Sequence, residues 1–302
     1  MQERYLLDEI LDDVAGGHNV VSTVFIECGA MFKADGPEAI AMRRRDRVRE
    51  RHRRHERVGE LRQDPDRRRD HRHGRFAHWR RGGRCLDAHI AAGGGRFRGI
   101  RRGAFWHESP DIQNHRTNPP EGLLLRDDFR AGFKHLGPRK LSFEVWCAHT
   151  QLPDAISLAR AFPDTTIVLD HFGGPIGIGP YAGKQDEVFA TWKTQIDELA
   201  RCPNVVAKLG GLNMEVNGYG WEHRPSAADQ HRAGAGDAPL LRAHDRSLRR
   251  QALHVRVELP GRQAELQLYG AVEPRSSASA KATRPDERAD LFYGTAARVY
   301  RL

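Results

Sequence analysis

The feature that most constrains this chain is an alternation repeated along it. Short apolar runs, each ending in polar residues, are followed by segments with helical spacing. The runs are NVVSTVFIECGA (19–30), a short stretch near 97–102, LSFEVWCAH (141–149), TTIVLDHFGGP (165–175) and VVAKLGGL (205–212). Between and around them, residues 4–14 place Leu6, Leu7, Ile10, Leu11 and Val14 on one helical stripe. Residues 123–136, 152–162, 186–202 and 291–302 read as further helices. Strands apolar on nearly every residue are buried on both faces, which is the habit of a parallel sheet covered by crossover helices.

The polar residues fall where these runs end: Glu27 and Cys28, Arg101 and Arg102, His149, Asp170 and His171, and Lys208. A closed (β/α)8 barrel gathers the carboxyl ends of its strands around one site. Five runs that each deliver a polar group to that end fit such a barrel.

Composition enters because the chain is a mosaic. Its formal charge is +9, with 49 Lys and Arg against 40 Asp and Glu in 302 residues. Residues 43–84 hold 18 Arg against 7 acids, and residues 224–284 form a second basic stretch. Neither contains a strand-like run, so both are expected to pack poorly within a single 1–302 domain: Arg-dense sequence buries too little apolar area to offset chain entropy. Four widely spaced Cys exclude a disulfide scaffold. No apolar run is long enough to span a membrane, and the acidic start is unlike a signal peptide, so a cytoplasmic location is expected.

The stretches VFIECGAM, AHIAAGGGRFRGIR, FPDTTIVLDHFGGP, CPNVVAKLGGL and LFYGTAARVYRL resemble the amidohydrolase-related family of metal-dependent hydrolases, in its lactonase-like branch. The resemblance covers 3–41, 86–222 and 286–302. It implies a TIM barrel and hydrolysis of a cyclic ester or amide by activated water. It also implies a small-molecule substrate and a divalent metal, Zn or Mn, although some such lactonases use none. Carried over by residue, it makes His171 of L-D-H-F-G-G-P and His149 the catalytic and metal-binding candidates. Arg101 and Lys208 become substrate-binding candidates, and Glu27 joins them from its place at the end of a strand-like run. Each has a plain structural alternative, as a hydrogen-bonded core histidine or an ion-pair partner. The oligomeric state is not legible.

The chain departs from the family pattern in three places. The family's first strand, D-x-H-x-H, would precede Met1. The third and eighth strands would fall inside the Arg-rich stretches, where no E-S-N-F-P-V-D-like motif occurs. The barrel is therefore expected to be incomplete, with the first, third and eighth strands missing or scrambled, and impaired in activity. The Arg-rich stretches nearly lack Lys, as high-GC coding sequence does when read out of frame. Codons can be chosen for 43–86 whose next frame contains the strand-like IAAGIIG, and for 229–273 whose shifted frame contains ESNFPVD. The alternative function is a nucleic-acid or polyanion binder using these stretches. Against it stand the seven interleaved acids of the first stretch, with only Phe76 and Trp79 as aromatics up to Arg84.

Overall fold

The structure is a computed structural model. It describes residues 82–112, 119–211, 214–220 and 289–302, together with 11, 14, 20–26, 253–254 and 286. Among these residues lies one five-stranded sheet in the order β1-β2-β3-β4-β5, parallel throughout. The strands are β1 (Gly99–Gly103), β2 (Ser142–Trp146), β3 (Ile167–Leu169), β4 (Val205–Lys208) and β5 (Leu253–His254). Helix α1 (Gly82–Ala92) leads into β1. Helices α2 (Asp127–Phe133), α3 (Leu152–Ala161) and α4 (Gln185–Leu199) are the crossovers between successive strands. The chain closes with a π-helical turn (Asp290–Gly294) that runs into α5 (Thr295–Tyr300). Sequential parallel neighbours joined by helices form the arc of a (β/α) barrel.

Alternation along each strand sorts the residues. Phe143, Val145, Ile167, Leu169, Val205 and Ala207 belong to the main core with Phe129, Phe133, Leu158 and Trp192 from the helices. Phe143 meets Phe129 and Phe133 edge-on, with ring centroids 5.8 and 5.0 Å away. The β1–β2 register pairs Arg101 with Glu144, so the opposite face of the sheet carries charge.

Three expectations change. Residues 20–26 form no strand, and Val21 and Phe25 are 67% and 45% exposed. A β-branched run becomes a strand only where a neighbour completes its ladder, so propensity alone did not suffice. The 123–136 helix is broken: a 3-10 turn (Leu123–Leu125) precedes α2, and a second (Gly137–Arg139) follows it. Within 224–284, where no strand was expected, the two-residue β5 pairs with β4. The rest of both Arg-rich stretches lies outside the described residues, save 82–84 at the start of α1. Most of the 4–14 helix lies outside them too.

Candidate active site

The carboxyl ends of β1, β2 and β3 carry a second, smaller apolar cluster of Phe105, Ile112, Ala148, Ile176 and Val216, with Trp146, Tyr181 and Met214 packed against it. The two candidate histidines are embedded here. His149 follows β2 and is buried. Its backbone N–H donates to the Gly174 carbonyl at 2.9 Å, and its Nδ1 accepts from the Ile176 N–H at 3.3 Å. The ring meets Tyr181 edge-on at 5.0 Å. Burial, with His107 nearby adding to it against the Gly174 hydrogen bond, pushes the His149 pKa down to about 4. The ring is therefore neutral near pH 7. Because Nδ1 accepts, the proton sits on Nε2, which makes His149 a hydrogen-bond donor at that atom.

Gln151 fixes the backbone that carries this histidine. Its Oε1 accepts from the N–H groups of Ala148 and Trp106, both at 3.1 Å, and its Nε2 donates to the Ala104 carbonyl at 2.7 Å. One side chain thus joins the exits of β1 and β2.

His171 follows β3 and is also buried. Its ring stands edge-on to Trp146 at 4.7 Å, and Nδ1 lies 3.4 Å from the Gly210 carbonyl. The backbone here is unusual. His171, Phe172, Gly173 and Gly174 all have positive φ, from 52° to 66°. Two of the four are not glycine, at a cost of about 1–2 kcal/mol each. Partial compensation comes from the buried Trp192 indole N–H, which donates to the Phe172 carbonyl at 2.6 Å. Gly174 allows the turn to dock, since a Cβ there would lie 2.4 Å from the Cys147 carbonyl oxygen. Strain held in place by surrounding packing is a habit of functional sites. Gly174 also ties the histidines together through the backbone, since its N–H donates to the His171 carbonyl while its own carbonyl holds His149.

Below the histidines, on the charged face of the sheet, lies an ion cluster. Lys208 Nζ is 2.5 Å from Glu144 Oε2 and 3.1 Å from Asp170 Oδ1. Asp170 Oδ2 is 3.7 Å from an Arg101 guanidinium nitrogen. The Tyr300 hydroxyl, from α5, donates to Glu144 Oε1 at 2.7 Å. Lys208 and Asp170 are 2% and 0% exposed, Arg101 18%.

Arg101 and Lys208 thus meet through Asp170, His149 and His171 end adjacent strands, and Glu27 lies outside the described residues. Sequence reading did not assign Glu144, Tyr300, Tyr181 or Gln151 to the site. Only Glu144 left a sequence signal: a carboxylate in the middle of an apolar strand must find a partner. For a metal, no group of three or more His, Cys, Asp or Glu suited to hold an ion occurs among the described residues. That falls short of the usual three protein ligands of catalytic zinc. With Nε2 protonated, His149 offers no lone pair there, so the described donor set does not fit a bound ion.

The amidohydrolase family model matches residues 30–244, a span that runs through the first Arg-rich stretch. The uncharacterized protein y4mH of Sinorhizobium fredii is 35% identical over 132 residues, which cover 44% of this chain and 40% of that protein. The L-fucono-1,5-lactonase of Burkholderia multivorans is 29% identical over 133 residues, covering 44% of this chain and 42% of the enzyme. The chain thus spans about two-fifths of the length of these curated relatives. A crystal structure of an amidohydrolase from Burkholderia multivorans with bound HEPES superposes with a TM-score of 0.56 at 26% identity, covering 72% of this chain and 69% of that one.

Proposed function

The chain belongs to the amidohydrolase family, and from that premise we propose that it is a hydrolase that opens a lactone, or the corresponding cyclic amide, by attack of an activated water. One observation carries the reading: two buried histidines end adjacent parallel strands, beside a partly exposed arginine on the next strand. The likeness to a lactonase supports the substrate class.

In this reading His171 takes a proton from water as its oxygen bonds to the carbonyl carbon. The carbonyl π electrons become an oxyanion, which the Nε2–H of His149 and the Arg101 guanidinium stabilise. Collapse of the intermediate breaks the ring C–O bond, and the leaving alkoxide recovers the proton from His171. The product is a hydroxy-carboxylic acid, which loses its remaining proton to solvent and leaves as the carboxylate. Lys208, bonded to two carboxylates, acts by holding them. A divalent Zn or Mn ion would polarise the carbonyl in such a site, but no step is derived through one because the described donors do not fit it.

Impaired turnover is part of the proposal, since no E-S-N-F-P-V-D-like acid occurs in residues 224–284. The test is a screen against aldonolactones, read by pH-stat, and against their lactams, read by release of primary amine, with added Zn2+ or Mn2+ and with chelator. It compares this chain with a version whose 43–86 and 229–284 segments are re-read in the shifted frames. We expect slow turnover by the first and faster turnover by the second, both lost in His171→Asn. Failure of the re-read version on every substrate, or equal turnover by His171→Asn, would sink the reading. The polyanion-binding alternative draws no support from any described residue.

A further inference from the structure

We propose that Tyr300, Glu144, Lys208 and Asp170 form a positioning relay that fixes the Arg101 guanidinium at the site, so that the anion preference of the site is set from the last helix of the chain. This rests on the proposed role of Arg101.

The relay begins with hydrogen bonds at Tyr300 and Lys208 and reaches Arg101 through an ion pair longer than a hydrogen bond. Tyr300 donates to Glu144 at 2.7 Å, Lys208 joins Glu144 and Asp170 at 2.5 and 3.1 Å, and Asp170 lies 3.7 Å from Arg101. It crosses α5, β2, β4, β3 and β1, so each strand-to-strand spacing contributes to where Arg101 sits. Two cations face two carboxylates, and their formal charges cancel. A neutral cluster does not attract an anion through net charge, so any anion preference must come from its geometry. Exposure supplies that geometry. Lys208, Asp170 and Glu144 are 4% exposed or less, whereas Arg101 is the member with appreciable solvent access. Asp170 also immediately precedes His171, so the end of the relay abuts the proposed base.

The far end is anchored as well. Arg98 donates from Nε to the Tyr300 carbonyl, and Arg301 donates to the Lys140 carbonyl at 2.6 Å. These bonds join the end of α5 to the segments that enter β1 and β2. A long flexible side chain such as Arg loses rotamer freedom when it binds an anion. Holding it beforehand through a buried carboxylate removes that cost at the moment of binding. The chemistry it suits is charge that appears during the reaction, since a neutral lactone becomes an oxyanion and then a carboxylate.

The test uses two polyols that differ in one group, D-gluconate and its uncharged counterpart D-glucitol, titrated calorimetrically into the full chain. We expect gluconate to bind more tightly and Arg101→Gln to remove the preference. Asp170→Asn should cut gluconate affinity about tenfold, the loss of one charge-assisted contact. Tyr300→Phe, which removes one oxygen far from the ligand, should cut it about threefold. Glucitol affinity should stay constant in both. Equal binding of the two polyols by the unmodified chain would overturn the relay. So would variants that lower Tm while leaving the gluconate preference intact, as a purely structural role requires. If Asp170→Asn does not fold, Tyr300→Phe decides alone. Lactone turnover, measured separately, judges the hydrolase proposal and not the relay.

Discussion

The two faces of one sheet carry opposite chemistries. Toward the helices, Phe143, Val145, Leu169 and Ala207 join a continuous apolar core. Toward the other side, one residue along each strand, stand Arg101, Glu144, Asp170 and Lys208. Burial is similar on both faces, but its energetic meaning is not. Apolar burial stabilises in proportion to area. A buried ion cluster roughly breaks even against the cost of desolvation and is retained for what it arranges. The contrast separates a face that makes the fold from a face available for chemistry.

The sharpest way to break the comparison is to remove one charge from the ionic face. Lys208→Met should destabilise by about 4 kcal/mol, because two buried carboxylates lose their shared cation. Adding Glu144→Gln should restore part of that loss, and urea melts of the single and double variants read the difference. A double variant no more stable than the single one would show that the two charges are not coupled.

Acid is the next lever. The His149 pKa is depressed to about 4 against 6.5 for the free side chain. Below pH 6.5 the unfolded chain takes up a proton that the folded ring refuses. The contribution of this residue is therefore intact above 6.5 and falls away as pH drops toward 4, by up to roughly 3 kcal/mol. His149→Phe should flatten that part of the stability profile. Identical profiles for the two proteins between pH 7 and 4.5 would show that His149 is not held neutral.

A smaller effect on stability, with a larger one on turnover, is expected at Gly211. Its φ is +89°, and a Cβ would sit 2.4 Å from His171 Nδ1. Gly211→Ala should cost about 1–2 kcal/mol yet lower kcat about a hundredfold in the re-read version, by displacing the ring. A melt paired with single-turnover kinetics separates the two, and unchanged kcat would remove Gly211 from the positioning of His171.

Much of the architecture was legible. The apolar runs at 141–149, 165–175 and 205–212 became β2, β3 and β4, and the stripes at 152–162 and 186–202 became α3 and α4. His149 and His171 were legible as strand-end polar residues. The run at 20–26 was misleading, because its residues have the propensity of a strand but no ladder there. Gln151 and Tyr181 gave no sign, since a single glutamine or tyrosine after a strand has no spacing to mark it.

Periodicity and local turn chemistry, which act over a few residues, are what the sequence by itself determined: the strands near 97–102 and within 141–149, 165–175 and 205–212, the helices at 152–162 and 186–202, and that the sheet is parallel. The tertiary structure alone decided which charges meet. Glu144 finds Lys208 across 64 positions and Tyr300 across 156. It also decided the left-handed turn at His171, a conformation that a non-glycine residue adopts only when packing, here the Trp192 bond and the close docking of Gly174, holds it there. The physical reason is range: a hydrophobic pattern repeats within one element, whereas an ion pair or a strained turn depends on neighbours that only the closed fold supplies.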